Sequence, residues 1–94
     1  MNEDVVDNPA EHRFELAIEG SDEIAAAYYR VEGNRVILTH TEVPFAFSGR
    51  GIASRLALGV FDAIRASGRK AVLSCSFMAG FSARHPEYSD IVDG

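Results

Sequence analysis

At 94 residues the chain can form one domain with one modest core and has no room for a second. Its apolar fraction of 47% and charged fraction of 24% are those of an ordinary globular protein, and no apolar run approaches the ~20 residues that span a bilayer. A formal charge of −5 argues against nucleic acid as the main partner, because neutralising phosphates needs a basic surface.

In chain order, residues 1–11 are polar and acidic and read as a flexible lead-in, leaving 12–94 as a single domain. This start lacks the basic and apolar regions of a signal peptide, so a cytoplasmic protein is expected. Arg13 to Ile18 alternates, with Phe14, Leu16 and Ile18 on one face, and predicts a first strand. After a turn at Gly20-Ser21-Asp22, Glu23 to Glu32 predicts a second strand. Gly33-Asn34 is a two-residue hairpin signal, and the β-branched run from Arg35 to Val43 predicts a third. Three strands joined by tight turns should form an antiparallel meander.

A helix is predicted from about Gly51 to Ser67. Ile52, Leu56, Val60 and Ile64 form one stripe, Ala53, Ala57 and Phe61 lie beside it, and Arg55, Asp62 and Arg65 face away. Gly68 stops it. Lys70 to Ser76 predicts a short strand returning beside the third by a right-handed crossover. Phe77 to Arg84 predicts a second, shorter helix, ended by Pro86, and Tyr88 to Val92 a terminal strand. The expected fold class is α+β with a local α/β unit: a mostly antiparallel sheet, one long helix, a returning strand and a short second helix.

The segment EVPFAFSGRGIASR, from Glu42 to Arg55, carries the strongest chemical signal. A strand meets Pro44, then Gly49 and Gly51, then the long helix. Such a turn offers free backbone N–H groups and the positive end of a helix dipole, which suit a phosphate or pyrophosphate. A tight turn that merely needs glycine is the competing explanation. Arg50, Arg55, Arg65, Arg69 and Lys70 cluster in and after this helix. A locally basic patch on an acidic protein fits a small anionic ligand. Ordinary salt bridges account for Arg65 and Arg69, whereas Arg50 lies inside the glycine turn.

Period-two alternation puts His40 and Glu42 on one face of the third strand, with Leu38 below them. The pair can serve as acid and base, or be a strand-end histidine beside a solvated charge. Cys75 is the single cysteine, which excludes an internal disulfide and a multi-cysteine metal site and agrees with a reducing compartment. No metal is expected. If the third and fourth strands are parallel neighbours, Cys75 falls near His40 and Glu42, as a nucleophile or as buried filler. His85-Pro86-Glu87-Tyr88 by itself reads as a helix stop and surface turn.

RFEL (Arg13 to Leu16), LTHTEVP (Leu38 to Pro44), GRGIASRL (Gly49 to Leu56), the strand ending in Cys75, and HPEY (His85 to Tyr88) occur in the order and spacing of one family. Through these five pieces the chain, from about residue 12 to 92, resembles the GNAT N-acetyltransferase superfamily and in particular its short single-domain YjdJ-type branch. The resemblance implies acetyl-CoA as cosubstrate. Its pyrophosphate would rest on Phe47, Ser48, Gly49, Arg50, Gly51, Ile52 and Ala53, and its pantetheine arm would lie near Glu42 and Val43. Ala46 stands where the family pattern has Gln or Arg, so one polar anchor is missing. The implied activity is acetyl transfer to an amine. It proceeds either by direct attack with Glu42 or His40 taking the proton, ranked slightly higher, or through an acetyl-cysteine at Cys75 with His40 as base. Larger relatives carry N-terminal helices over the acceptor site, so here that side would be open, or completed by a second copy in a homodimer. The rivals are a non-catalytic CoA-binding module or sensor, and a redox-active Cys75 that forms a mixed disulfide with CoA.

Overall fold

The computed structural model of the protein describes residues 4–94. Five strands form one sheet in the order β1 (Val5–Asn8), β2 (Arg13–Ala17), β3 (Ile24–Glu32), β4 (Arg35–Glu42) and β5 (Lys70–Leu73). The first four pair antiparallel in sequence, and β5 pairs parallel with β4. Helix α1 (Ile52–Ser67) makes the crossover between β4 and β5, and α2 (Ser76–Arg84) follows β5. The α+β class and the strand–helix–strand unit are therefore as the sequence predicts.

One core lies between the sheet and the helices. From the sheet come Phe14, Leu16, Ala25, Ala27, Tyr29, Val36 and Leu38, and α1 adds Ile52, Leu56, Ala57, Val60, Phe61 and Ile64. The α1 stripe is the predicted one, because an i, i+4 apolar series must face one way on a 3.6-residue helix. Gly68 caps α1 at φ 77°, its N–H donating to the Arg65 carbonyl at 3.1 Å. Met78 and Phe81 of α2 complete the core, with the Phe81 ring 5.5 Å from that of Phe61.

Two expectations are corrected. The lead-in is not frayed over residues 5–11: Val5–Asn8 pair with Leu16–Arg13 as an added edge strand, while residues 1–3 lie outside the described residues. A 3-10 turn at Pro9–Glu11 connects it to β2, and His12 closes that turn in the left-handed region at φ 56°. The Tyr29 hydroxyl donates to Asp7, and Asn8 Nδ2 donates to Glu15 at 3.0 Å, so side chains fasten the strand as well as the ladder. The second correction is the tail, where Pro86–Ile91 is a 3-10 helix and not a strand. Pro86 presets the first turn, and Tyr88 and Ile91 are three apart, so both point inward at the 3-10 repeat. Val92 keeps one parallel bridge to Ala71.

Candidate active site

The site begins where two strands part. β4 pairs with β5 only over Arg35–Leu38, whereas it pairs with β3 as far as Glu42. The last link to the β5 side is Ser74 N–H to the Leu38 carbonyl at 3.0 Å. Beyond it, Thr39–Glu42 have no strand partner on that edge among the described residues. Backbone groups on such an edge can receive an extended ligand as another strand would.

A rigid turn follows. Pro44 leads into a 3-10 turn at Phe45–Phe47, held by Phe47 N–H to the Pro44 carbonyl at 2.9 Å. The Ser48 N–H and hydroxyl both donate to the Phe45 carbonyl, at 3.1 and 2.9 Å. Gly49 and Gly51 then take φ of 80° and 74°, the left-handed region that L side chains rarely adopt. Gly51 is the N-cap of α1, no side-chain oxygen caps the helix, and its first turn carries no acidic residue. The first intrahelical bond runs from Arg55 N–H to the Gly51 carbonyl at 3.1 Å. Ile52, Ala53 and Ser54 thus offer N–H groups with no partner inside the helix. A Cβ added at Gly49 or Gly51 would meet nothing within 4 Å, so both glycines border open space. Buried Ile52 anchors the helix start to the core. Uncapped amides, a helix dipole and open space fit a phosphate.

The basic cluster divides as its local partners dictate. Arg55 pairs with Asp4, Arg65 with Asp90, and Lys70 Nζ donates to the Asp90 carbonyl. Arg69 lines a separate cavity with Asp7 and Tyr29. Arg50, beside the cradle, makes no ion pair among the described residues and lies over the Phe47 ring at 5.4 Å.

At the strand end, His40 Nε2 and Glu42 Oε2 are 3.4 Å apart, and both side chains are exposed. The His40 ring stacks over Tyr28 with centroids 6.0 Å apart, and the Arg13 guanidinium lies over the same Tyr28 ring at 5.8 Å. Arg13 also pairs with Glu15 at 2.7 Å, which holds the Glu15 carboxyl below the usual range. Cys75 is buried at the N-cap of α2, two residues past the end of β5, and its Sγ is 3.3 Å from Thr41 Oγ1. Beside this strand end, Asp22, Glu23, Ile24, Glu42, Val43 and Pro44 line an open cavity of about 440 Å³.

A β-bulge corrects the expected face of His40. The register shifts between Tyr28, opposite His40, and Tyr29, opposite Leu38, leaving Thr39 as the extra residue. Its hydroxyl donates to the Tyr28 carbonyl at 3.2 Å. Alternation restarts there, so Thr41 joins Leu38 on the core face while His40 and Glu42 share the opposite one. The structure therefore brings His40 and Glu42 together, and Cys75 together with Thr41. Sequence reasoning missed Thr41, because unbroken alternation puts it on the wrong face.

HPEY works as a clasp. Tyr88 is buried, donates to Asp62 of α1 at 2.7 Å, and lies under the Arg65 guanidinium at 4.8 Å. Burial, with the hydrogen bond to Asp62, pushes its hydroxyl pKa up to about 12. The His85 ring stacks on Phe81 at 4.0 Å and pairs through Nδ1 with Glu87 at 3.1 Å.

The splayed strand end that runs into an uncapped, glycine-opened helix start sits here in a fold of the GCN5-related N-acetyltransferase kind. Residues 13–91 match the family described as GCN5-related N-acetyl-transferase. The chain belongs to that family. It is 35% identical over 75 residues to Protein NATD1 of Mus musculus, covering 79% of this chain and 68% of that protein. Protein NATD1 of Danio rerio is likewise 35% identical, over 79 residues, covering 81% of this chain and 72% of that one. Among solved structures, a GCN5-like protein from Staphylococcus aureus, determined by NMR, superposes with a TM-score of 0.66. That match covers 99% of this chain and 90% of the other at 24% identity, and is a likeness of fold. No helix among the described residues is long and apolar enough to cross a membrane.

Proposed function

We propose that the protein binds acetyl-CoA and transfers its acetyl group to an amine. The observation that carries this reading is the uncapped start of α1, opened by Gly49 and Gly51, at the end of a strand whose outer edge is free. Phe47 to Ala53 would hold the pyrophosphate through backbone N–H groups, with Arg50 adding the positive side chain that Ala46 does not supply. The pantetheine arm would lie along β4 near Glu42 and Val43. Acetyl-CoA supplies the activated acyl group.

In the direct route the amine nitrogen attacks the thioester carbonyl, the C–S bond breaks, and CoA leaves as the thiol or thiolate. The proton lost by the amine passes to Glu42 or to the His40 ring nitrogen 3.4 Å from it. We prefer this route to an acetyl-Cys75 intermediate because Thr41, and not His40, is the polar neighbour of Cys75. A threonine hydroxyl is no base for the thiol. That same separation favours, as second reading, a CoA-binding module without turnover.

The test pairs calorimetric titration of acetyl-CoA with a CoA-release assay over a panel of amines. Binding together with amine-dependent release supports the transferase. Binding with no release on any amine supports the module, and no binding overturns both.

A further inference from the structure

Among the described residues the exposed large apolar side chains are Val6, Val31 and Phe45. The two valines lie in strands, where a β-branched residue suits the backbone whichever way it faces. Phe45 has no such reason. It sits in the 3-10 turn before the phosphate cradle and is 92% exposed, so it adds nothing to the core. Its backbone is fixed on the turn that leads into Gly49 and Gly51, because the Phe45 carbonyl takes two hydrogen bonds from Ser48. Phe47, two residues on, is packed against the core and covered by the Arg50 guanidinium, so it has no free ring face to match.

We propose that Phe45 is the stacking platform for the adenine of CoA, and that it makes the site select nucleotide-bearing thioesters over phosphopantetheine thioesters that lack the nucleoside. This rests on the acetyl-CoA reading above and deepens it. An exposed aromatic ring on the turn that leads into a pyrophosphate cradle offers a face for the purine of the same cofactor. Stacking of a base on such a ring needs no hydrogen bonds and no enclosed pocket. Arg50, between the two glycines of the turn and over the Phe47 ring, would then face the phosphates and leave the base to Phe45.

The chain has no tryptophan, so F45W introduces a single indole whose emission reports on the turn alone. Acetyl-CoA should quench that emission through adenine stacking, and acetyl-phosphopantetheine should not. In calorimetry, F45A should bind acetyl-CoA about 10- to 100-fold more weakly than the wild-type chain, and F45Y should bind it as the wild type does. F45A should leave acetyl-phosphopantetheine within about twofold, and its melting temperature unchanged, because the ring it removes is outside the core. Equal weakening of both thioesters, or unchanged affinity for acetyl-CoA in F45A, would overturn the platform while leaving acetyl-CoA binding intact. If the wild-type chain binds neither thioester, the acetyl-CoA reading itself is wrong and the platform falls with it.

Discussion

Replacing Gly51 by alanine separates what the backbone costs from what a ligand feels. Gly51 sits at φ 74°, ψ 10°, where an L residue pays roughly 1–2 kcal/mol for the close approach of its Cβ to the backbone. No other atom lies within 4 Å of the added methyl, so no steric term adds to this. At ~4–8 °C per kcal/mol for a domain of this size, the melting temperature should fall by roughly 4–16 °C. The same methyl stands at the N-cap of α1, in open space next to its first N–H groups in the chain. Losing one charge-assisted hydrogen bond there costs about 1.5–3 kcal/mol, so acetyl-CoA should bind roughly 10- to 100-fold more weakly. Gly33 is the control: it too has φ in the left-handed region, at 60°, and open space around its Cβ, but it lies in the β3–β4 hairpin at the far end of the sheet. G33A should therefore melt lower by a similar amount and bind acetyl-CoA as the wild type does. Thermal melts by circular dichroism and calorimetric titration of both variants read the two effects. If G51A and G33A bind acetyl-CoA equally well, the assignment of the cradle is refuted.

Alkaline stability and the proton-transfer step offer two further tests. Burial and hydrogen bonds to Asp7 and Asp62 raise the Tyr29 and Tyr88 hydroxyls from 10.0 to about 12. Both are neutral when folded, so their contribution is complete below pH 10 and is lost as pH rises through about 12. Chemical denaturation across that window should show the loss, and Y88F should flatten part of it; a curve flat to pH 12 would contradict the buried clasp. In the CoA-release assay, E42Q should lower kcat by about 10²-fold or more with little change in acetyl-CoA affinity, as loss of a general base does, whereas C75S should stay within a few-fold of wild type. The reverse pattern would select the acetyl-cysteine route.

Much of this fold could be read from the residues because its signals are periodic. The α1 stripe from Ile52 to Ile64, the Gly33-Asn34 hairpin and the Gly68 cap each follow from spacing or backbone chemistry that no tertiary contact overrides. What failed to show was non-periodic or depended on partners far away in sequence. β1 contains only two adjacent valines among acidic residues, and it is a strand because Leu16, Tyr29 and Glu15 lie ready to receive it. The tail took Tyr88 and Ile91 inward at a three-residue repeat that a two-residue alternation conceals. In the site, the glycine turn was legible because positive φ demands glycine. The partition of His40 and Glu42 from Cys75 was not, because one extra residue at Thr39 inverts everything after it and leaves no mark in composition.

The most direct measurement is a calorimetric titration with acetyl-CoA, free CoA and acetyl-pantetheine, which lacks every phosphate. The account predicts that both CoA forms bind and that acetyl-pantetheine does so far more weakly, since the uncapped amides of α1 have lost their anion. Equal binding of all three would mean that the cradle plays no part, and binding of none would mean that Gly49 and Gly51 form only a turn.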